Sequence, residues 1–349
     1  MSKISLLDCT LRDGGYINNW EFGTETISET KRLLEEAGVD ILELGFLRNE
    51  PYQNGRTVFN SVDQVKALIG NKRPGMQYAV MAEVANPFPL EMLEPADDQG
   101  PDIIRVIVWK TKRNSRGIEV DALQEGFLYC KGIVEKGYRL CVQPARVDQY
   151  SEEEFVAMVE RFAELDPMAV YVVDSWGTQN PEDLLRYMRL ADRHMPAHIS
   201  LGYHGHNNMM QAMSTAQVMM KENFRRDLIL DASVYGIGRG AGNLNLELIG
   251  KYMDEQLGTD YDIDPMLEIY ERYVKDIYDM EPWGYSIPFL LTAKYNCNPN
   301  YARYLGNRLH LDADRICFVL KSLPVECRTI YSKEAADRCL ASYHAEERK

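Results

Sequence analysis

The sequence predicts an α/β protein in which a (β/α)8 TIM barrel is followed by an all-helical C-terminal extension. Three observations lead to this fold: strand-like segments recur eight times, helix-like segments lie between them, and the alternation stops near residue 250. Alternation of strand and helix implies a parallel sheet, and eight repeats in about 250 residues match this barrel. A doubly wound sheet is disfavoured because no G-x-G-x-x-G motif follows the first strand. We expect a barrel domain of residues 1–250 and an extension of residues 251–349.

The strands are predicted where Val, Ile and Leu are concentrated. They are expected at residues 4–11, 41–46, 77–82, 103–109, 139–144, 169–174, 199–204 and 228–234. Each strand is followed by a helix-like stretch, and the helices with the clearest ends are expected at residues 24–37, 119–136, 151–165 and 181–195. Gly38 and Gly137 end two of these helices, and Ser151 with Glu154 forms a capping box at the start of a third. Beyond residue 250, proline and glycine interrupt helical patterns and no strand is expected.

Composition excludes several classes of protein. The 349 residues carry a formal net charge of −14 and no basic cluster, so a nucleic-acid partner is not expected. The longest apolar stretches are strand-sized, and the N-terminus lacks the features of a signal peptide. We therefore expect no membrane partner and a cytoplasmic location. Seven scattered cysteines without a C-x-x-C motif are typical of reduced thiols.

Polar side chains of catalytic type follow the first two strands. Functional groups in such a barrel collect at the C-terminal ends of the strands. Arg12, Asp13 and Tyr16 follow the first strand, and Glu43 lies within the second. A carboxylate inside an apolar strand is costly unless it is paired or bound to a metal, so Arg12 is the expected partner of Glu43. A purely structural ion pair of Arg12 with Asp13 is the alternative.

Two histidines follow the seventh strand in the run GYHGHNN. Residues two apart in an extended segment point the same way, so His204 and His206 can face one ion. When the barrel closes, Asp13 comes near both histidines. Two imidazoles and one carboxylate leave positions open on a divalent ion, which is typical of a catalytic site. The H-x-H spacing alone is weak evidence, because so short a motif often arises by chance.

The eighth strand is followed by the glycine-rich run GIGRGAGN. Its glycines can bring backbone close to a ligand, and Asn243 can add an oxygen ligand. A plain barrel-closing turn, with Asn243 capping the next helix, is the alternative and is compatible with metal binding. A Schiff-base lysine would be a competing chemistry. Lys110 ends the fourth strand, but a surface lysine is the favoured interpretation.

Four motifs in this order resemble the DRE-TIM metallolyases. They are LDCTLRDGGY, ELGF, GYHGHNN and GIGRGAGN, and together they extend over residues 4–250. The family is named for an Asp-Arg-Glu trio on a TIM barrel. It holds 4-hydroxy-2-oxovalerate aldolases, hydroxymethylglutaryl-CoA lyase, and the isopropylmalate and homocitrate synthases. Because an acyl-CoA signature is missing and the tail is helical, the chain is most similar to the hydroxyoxovalerate aldolase branch.

The resemblance implies a metal site. Asp13, His204 and His206 would be the ligands of a divalent ion, and Asn243 matches a residue that ligates or supports the metal in some members. Mn²⁺ is favoured, while Mg²⁺, Co²⁺ and Zn²⁺ remain open because this ligand set does not select among them.

The resemblance also implies catalytic roles. Arg12 would stabilise an enolate, and Glu43 would hold Arg12. The aldolases have a histidine three residues after the metal aspartate, where this chain has Tyr16, so either Tyr16 or an activated water is a candidate for the proton steps. Tyr285, in WGYSIPF, lies near where the family places a tyrosine in the site.

The implied activity is that of a metal-dependent carbon–carbon lyase. We expect an aldolase that splits a 4-hydroxy-2-oxo acid into pyruvate and an aldehyde through a pyruvate-type enolate. A Claisen-type synthase joining an acyl-CoA to a 2-oxo acid is the second hypothesis, although the sequence shows no site for the CoA nucleotide. A non-catalytic barrel protein is the third, and the intact set of site residues speaks against it. A homodimer is expected, and the aldolase branch implies an aldehyde dehydrogenase as a partner.

Overall fold

The computed structural model of the protein describes residues 2–113 and 119–347. Eight parallel strands close into a barrel: β1 Ile4–Asp8, β2 Ile41–Leu47, β3 Gln77–Glu83, β4 Ile103–Val108, β5 Arg139–Pro144, β6 Ala169–Asp174, β7 Ser200–Gly205 and β8 Leu228–Ala232. Closure occurs where β1 pairs with both β8 and β2, with Ile4 opposite Leu228 and Leu7 opposite Ile41. The predicted (β/α)8 barrel is confirmed.

Seven helices surround the strands: α1 Thr24–Ala37, α2 Val62–Ile69, α3 Leu123–Glu135, α4 Glu152–Ala163, α5 Pro181–His194, α6 Ala212–Lys221 and α7 Leu246–Leu257. The predicted ends of α1 are observed, with Gly38 in the left-handed conformation at φ +76°. Ser151 and Glu154 form the predicted capping box of α4. The connection from β3 to β4 is the exception to the expected alternation. Residues 84–102 form turns without a helix, because four prolines interrupt this segment.

Three predicted boundaries are wrong. β1 ends at Asp8 instead of residue 11, because Thr10–Asp13 form a helical turn that places Arg12 and Asp13 over the barrel. Residues 119–121 do not begin α3. They form a short strand that pairs antiparallel with Thr111–Arg113 above β4. β8 ends at Ala232, and a short 3-10 helix, Val234–Gly236, follows it.

The barrel interior is built in layers of inward side chains from alternate strands, as is usual for this fold. The first layer is apolar and comes from the second, fourth, sixth and eighth strands: Ile41, Ile103, Ala169 and Ile229. The next inward positions on the same strands carry a polar layer: Glu43, Arg105, Tyr171 and Asp231. The main hydrophobic core lies outside the barrel, between the strands and the helices. The interior therefore changes from apolar to charged toward the C-terminal ends of the strands.

The chain beyond α7 is helical throughout its described part, to residue 347, as predicted. Its longer elements are α8 Ile263–Ile269, α9 Lys275–Met280, α10 Ile287–Lys294, α11 Ala313–Ser322, α12 Val325–Thr329 and α13 Lys333–Glu347. The helix α8 packs against α1, and residues between Leu291 and Cys339 form a separate hydrophobic core. The proposed domain boundary at residue 250 falls within α7.

All seven cysteines are free. In the portion of the chain covered by the structure, no helix has the length and apolar character needed to cross a membrane.

Candidate metal centre and active site

Asp13, His204 and His206 converge at the C-terminal end of the barrel. One carboxylate oxygen and two imidazole nitrogens, one from each residue, lie within 4.8 Å of one another, and all three residues are buried. Nε2 of His204 is 4.0 Å from Oδ1 of Asp13, and Nδ1 of His206 is 3.9 Å from Oδ2. The turn after β1 and the extended end of β7 place these groups. The structure therefore brings the three predicted metal ligands together.

The orientation of His204 is fixed from behind by Asp231. Nδ1 of His204 lies 3.0 Å from Oδ2 of Asp231. Burial raises the pKa of Asp231, but the charge of Arg105 and the His204 contact outweigh burial and lower it overall. Because Asp231 is then ionised, Nδ1 of His204 donates the hydrogen bond. Nε2 keeps its lone pair toward Asp13, as a metal ligand requires.

The ligands belong to a buried network of charges that we call the inner cluster: Arg12, Asp13, Glu43, Arg105, His204 and Asp231. Nε of Arg12 donates to Oε2 of Glu43 at 2.7 Å, and a terminal nitrogen of Arg12 donates to Asp13. Arg105 contacts the same Glu43 oxygen at 2.8 Å and also pairs with Asp231. The expected Arg12–Glu43 pair is therefore present, together with a second arginine.

The inner cluster is excluded from water, and the carboxyl groups of Asp13 and Asp231 have lowered pKa values within it. Arg12 is 3% exposed, and Arg105 and Glu43 are 0% exposed. Burial raises the pKa of Asp13, but the charges of Arg12 and the two histidines outweigh it and lower the pKa overall. Two arginines face three carboxylates, those of Asp13, Glu43 and Asp231. This leaves one negative charge that a cation can compensate.

Two buried polar atoms beside the ligands have no hydrogen-bond partner among the described residues: Nδ1 of His206 and Oδ1 of Asn243. Burial lowers the pKa of His206 to about 3, so its ring is neutral. The Asn243 amide nitrogen is bonded to Ile237 O at 3.0 Å, which leaves its oxygen free. A Cβ on Gly238 would lie 2.3 Å from the Asn243 amide nitrogen and 2.5 Å from Oδ2 of Asp13. These nitrogen and oxygen donors fit a divalent ion.

Tyr16 lines a pocket of about 500 Å³ together with Arg12, Asp13 and both histidines. Burial, then the charge of Glu83, raises the pKa of Tyr16, so its hydroxyl keeps its proton. The ring of Tyr16 packs against Trp20, with centroids 4.9 Å apart.

Tyr285, a predicted site residue, and Lys110, the Schiff-base alternative that we disfavoured, lie elsewhere. Tyr285 is 54% exposed and lines a second pocket that shares Asn243 but none of the other proposed site residues. Nζ of Lys110 donates to Gln149 O at 2.8 Å and to Glu154 at 2.6 Å, outside the pocket that Arg12 lines. A Schiff-base role for Lys110 therefore has no support from the geometry.

Arg105 and Asp231 are the main site residues that the sequence analysis did not identify. Both are charged residues inside apolar strands, in IIRVIVW and LILDASV, like Glu43 in ILELGF. Applying the same argument about buried charge to every strand would have found them. Glu83 and Arg239 also line the pocket, but no local pattern distinguishes them from ordinary polar residues at strand ends.

Known proteins are similar to this chain in sequence and in fold. The HMGL-like family model matches residues 3–272. A 4-hydroxy-2-oxovalerate aldolase from Bacillus thuringiensis (strain Al Hakam) is 25% identical over 276 residues, covering 78% of this chain and 76% of the relative. An oxaloacetate decarboxylase from Mycobacterium tuberculosis is 27% identical over 252 residues, covering 70% and 68%. The N-terminal domain of a candidate aldolase from Bacteroides vulgatus has a TM-score of 0.70 at 21% identity, covering 88% of this chain and 98% of that one.

Proposed function

The chain belongs to the HMGL-like family, and we propose that it is a divalent-metal-dependent carbon–carbon lyase acting through the enolate of a 2-oxo acid. The observation that carries this proposal is the convergence of Asp13, His204 and His206 beside Arg12 in one pocket. The family match confirms the resemblance that the sequence motifs predicted. The particular substrate is our inference.

The proposed metal ligands are Asp13, His204 and His206, with Asn243 as a further oxygen donor. A bound divalent ion supplies the positive charge that makes the C3 protons of a chelated 2-oxo acid acidic. Mn²⁺ is our first choice, since the mixed nitrogen and oxygen donors accept it, and Mg²⁺, Co²⁺ and Zn²⁺ are alternatives.

Arg12 holds a fixed positive charge where negative charge develops on the substrate oxygen. Its planar donor fork is matched to carboxylate and enolate oxygens. Glu43 and Asp13 occupy part of that fork and fix its direction. Glu43 therefore acts through Arg12 as a positioning residue.

Tyr16 is our candidate for moving the proton at C3 or at the C4 hydroxyl. Its hydroxyl stays protonated in the pocket, so it can donate to the enolate carbon in the cleavage direction. A water held in the pocket is the alternative.

The reaction that we favour is cleavage of a 4-hydroxy-2-oxo acid to pyruvate and an aldehyde, as the name of the Bacillus thuringiensis relative indicates. Loss of CO2 from oxaloacetate would give the same enolate, and the Mycobacterium tuberculosis relative favours it as a second candidate. A Claisen-type synthase remains the other hypothesis, whereas the family and the enzymes named among the relatives speak against a non-catalytic protein.

Exchange of the pyruvate methyl protons in D2O, followed by NMR, tests enolate formation without an aldehyde. The reaction with metal-free protein is compared with the reaction with Mn²⁺-loaded protein. The second reaction is stopped, and its Mn²⁺ is removed with a chelator, before the NMR spectrum is recorded. We expect metal-dependent exchange that disappears in His204→Ala and persists in His198→Ala, since the His198 side chain is 66% exposed and pairs with Asp166. No exchange with pyruvate or 2-oxobutyrate, in protein shown to hold metal, would contradict the proposal. Free thiol released from acetyl-CoA with a 2-oxo acid would then favour the synthase.

Three expectations from the sequence remain proposals: a cytoplasmic location, a homodimer, and an aldehyde dehydrogenase partner that receives the product. Light scattering measures the oligomeric state, and co-purification from the native cells tests the partner.

A further inference from the structure

A larger pocket, which we call the outer pocket, opens beside the one that holds the inner cluster. It has a volume of about 830 Å³ and shares Trp109 and Arg239 with the inner pocket of about 500 Å³. The ends of β4, β5 and β6 form one side of it, and residues 329–331 of the C-terminal extension form the other. A substrate held at the metal ligands can therefore extend past Trp109 and Arg239 into this space.

The outer pocket is cationic in a protein of net charge −14. Four of the described residues that line it are Lys112, Arg113, Arg146 and Arg239, and none of the described lining residues is Asp or Glu. Overall charge repels an anion, so attraction must come from such a local concentration of cations.

The four cations differ in whether a carboxylate of the protein already pairs with them. Lys112 pairs with Glu125, and Arg146 pairs with Asp148 at 2.6 Å while stacking on Trp176 at 3.4 Å. Among the described residues, Arg113 donates to the backbone carbonyl of Glu326, at 3.4 Å, and to no carboxylate.

Arg239 is half-buried and is the cation that lines both pockets. Its backbone N–H donates to Asp13 at 3.1 Å, and its guanidinium lies 5.7 Å from the centre of the Tyr16 ring. Within residues 2–113 and 119–347 the guanidinium takes part in no ion pair. A half-buried guanidinium without a carboxylate, at the boundary of two connected pockets, is suited to an anionic ligand.

We propose that the outer pocket selects an aldehyde that carries an anionic group at its far end, and that Arg239 pairs with this group. This inference rests on the proposed function for its catalytic meaning, since the aldehyde is the part of the substrate beyond the enolate. In the synthetic direction, C3 of the pyruvate enolate bonds to the aldehyde carbon and the aldehyde oxygen takes a proton, with no further reactant. The anionic group is a carboxylate or a phosphate, because a guanidinium binds both in the same way.

Two matched pairs of aldehydes distinguish charge from size in the condensation with pyruvate. The first pair is 4-oxobutanoate and its methyl ester, and the second is glycolaldehyde phosphate and glycolaldehyde. We expect kcat/KM for one of the anions to exceed that of its neutral partner by roughly 10- to 100-fold. The pair that shows the preference identifies carboxylate or phosphate as the group.

Three variants assign the preference to Arg239. Arg239→Gln should remove it, Arg239→Lys should restore part of it, and Arg225→Gln should keep it. Arg225 is a matched control because it is exposed and lies beside the N-terminal end of β8, away from both pockets.

A binding measurement separates this inference from the proposed function. Trp109 and Trp176 line the outer pocket, so tryptophan fluorescence of the full chain follows aldehyde binding without pyruvate or turnover. We expect the preferred anion to bind at least about tenfold more tightly than its neutral partner in the wild type and in Arg225→Gln, but not in Arg239→Gln. If pyruvate exchange fails while this preference remains, the proposed function is wrong and the anion site stands. Equal binding of both pairs, or a preference that survives Arg239→Gln, would overturn the site.

Discussion

The inner cluster and the outer pocket hold their cations in opposite ways. Arg12 and Arg105 are enclosed and share Glu43, at 2.7 and 2.8 Å, so their charges are satisfied by the protein itself. Arg239 and Arg113 line the outer pocket and form no ion pair within the part of the chain that the structure describes. Paired charges keep a fixed geometry, whereas unpaired charges remain available to a ligand. This difference supports our two proposals, that the inner region carries the reaction and that the outer region selects the substrate.

The largest expected effect lies at Tyr16, which lines the inner pocket and faces Arg239. If Tyr16 transfers the proton, Tyr16→Phe should lower the rate of pyruvate proton exchange by roughly 100- to 10,000-fold, because a positioned acid or base contributes that much. Metal content should be unchanged, since Tyr16 is outside the ligand set. A fall of less than about tenfold would assign the proton step to water.

Removing a cation from the inner cluster should lower the free energy of unfolding. Arg105→Met removes the arginine that pairs with both Glu43 and Asp231 and leaves these carboxylates with Arg12 and His204. Breaking a buried ion pair in this way typically costs about 3–5 kcal/mol. Urea denaturation measures the free energy of unfolding. Arg139→Met, an exposed change on β5, should have an effect within about 0.5 kcal/mol. Equal effects of the two substitutions would contradict the role assigned to the cluster.

Asp8 extends the inner region with a carboxyl that no cation partners directly in the described residues. Burial raises its pKa to about 7, although Thr10 donates to it through its amide at 3.0 Å and its hydroxyl at 2.6 Å. A raised pKa in the folded state means that stability is present at pH below about 4 and is lost as pH rises toward 7.

Asp8→Asn should remove this dependence. The variant should gain stability over the wild type between pH 4 and 7 by a few kcal/mol at most, since one pKa unit corresponds to about 1.4 kcal/mol. Urea denaturation at several pH values measures the difference. Parallel curves for the two proteins would show that Asp8 is ionised in the folded state.

The smallest of these effects concerns the glycine turn beside the proposed ligands. Gly238→Ala places a methyl group against Asn243 and Asp13, so it should lower metal affinity by roughly 10- to 100-fold without unfolding the barrel. Gly250→Ala is the control, because its added methyl group would meet the ends of three apolar side chains at 3.2 to 3.8 Å, those of Ile263, Met266 and Leu6. Mn²⁺ titration followed by electron paramagnetic resonance measures both affinities, and equal values would count against Asn243 and Asp13 as ligands.

The sequence predicted the barrel well because each repeat is specified locally. Apolar strands and glycine or cap signals define α1 and α4 without reference to the rest of the chain. The end of β1 was missed because its apolar run continues through Leu11, while Thr10–Asp13 turn to bring Asp13 toward the histidines. Tertiary contacts, which local pattern does not contain, determine that turn.

The candidate site was predicted only where motifs mark it. Asp13 and His204 lie in distinctive runs, whereas Arg105 and Asp231 are marked only as charged residues inside apolar strands, a signal that we used for Glu43 alone. The outer pocket could not be predicted, because it joins the segment after β4 to residues of the extension that are more than 200 positions away.

The pairing of β1 with β8 has a consequence for how the protein folds during its synthesis. Asp13 is made before the histidines and the strand that fixes His204, which follow it by about 190 to 220 positions. Closing so long a loop is slow and comes late in folding. A nascent chain that has not yet reached Ala232 therefore holds no assembled three-ligand cluster, and the capacity to bind a metal ion there arises together with the completed barrel.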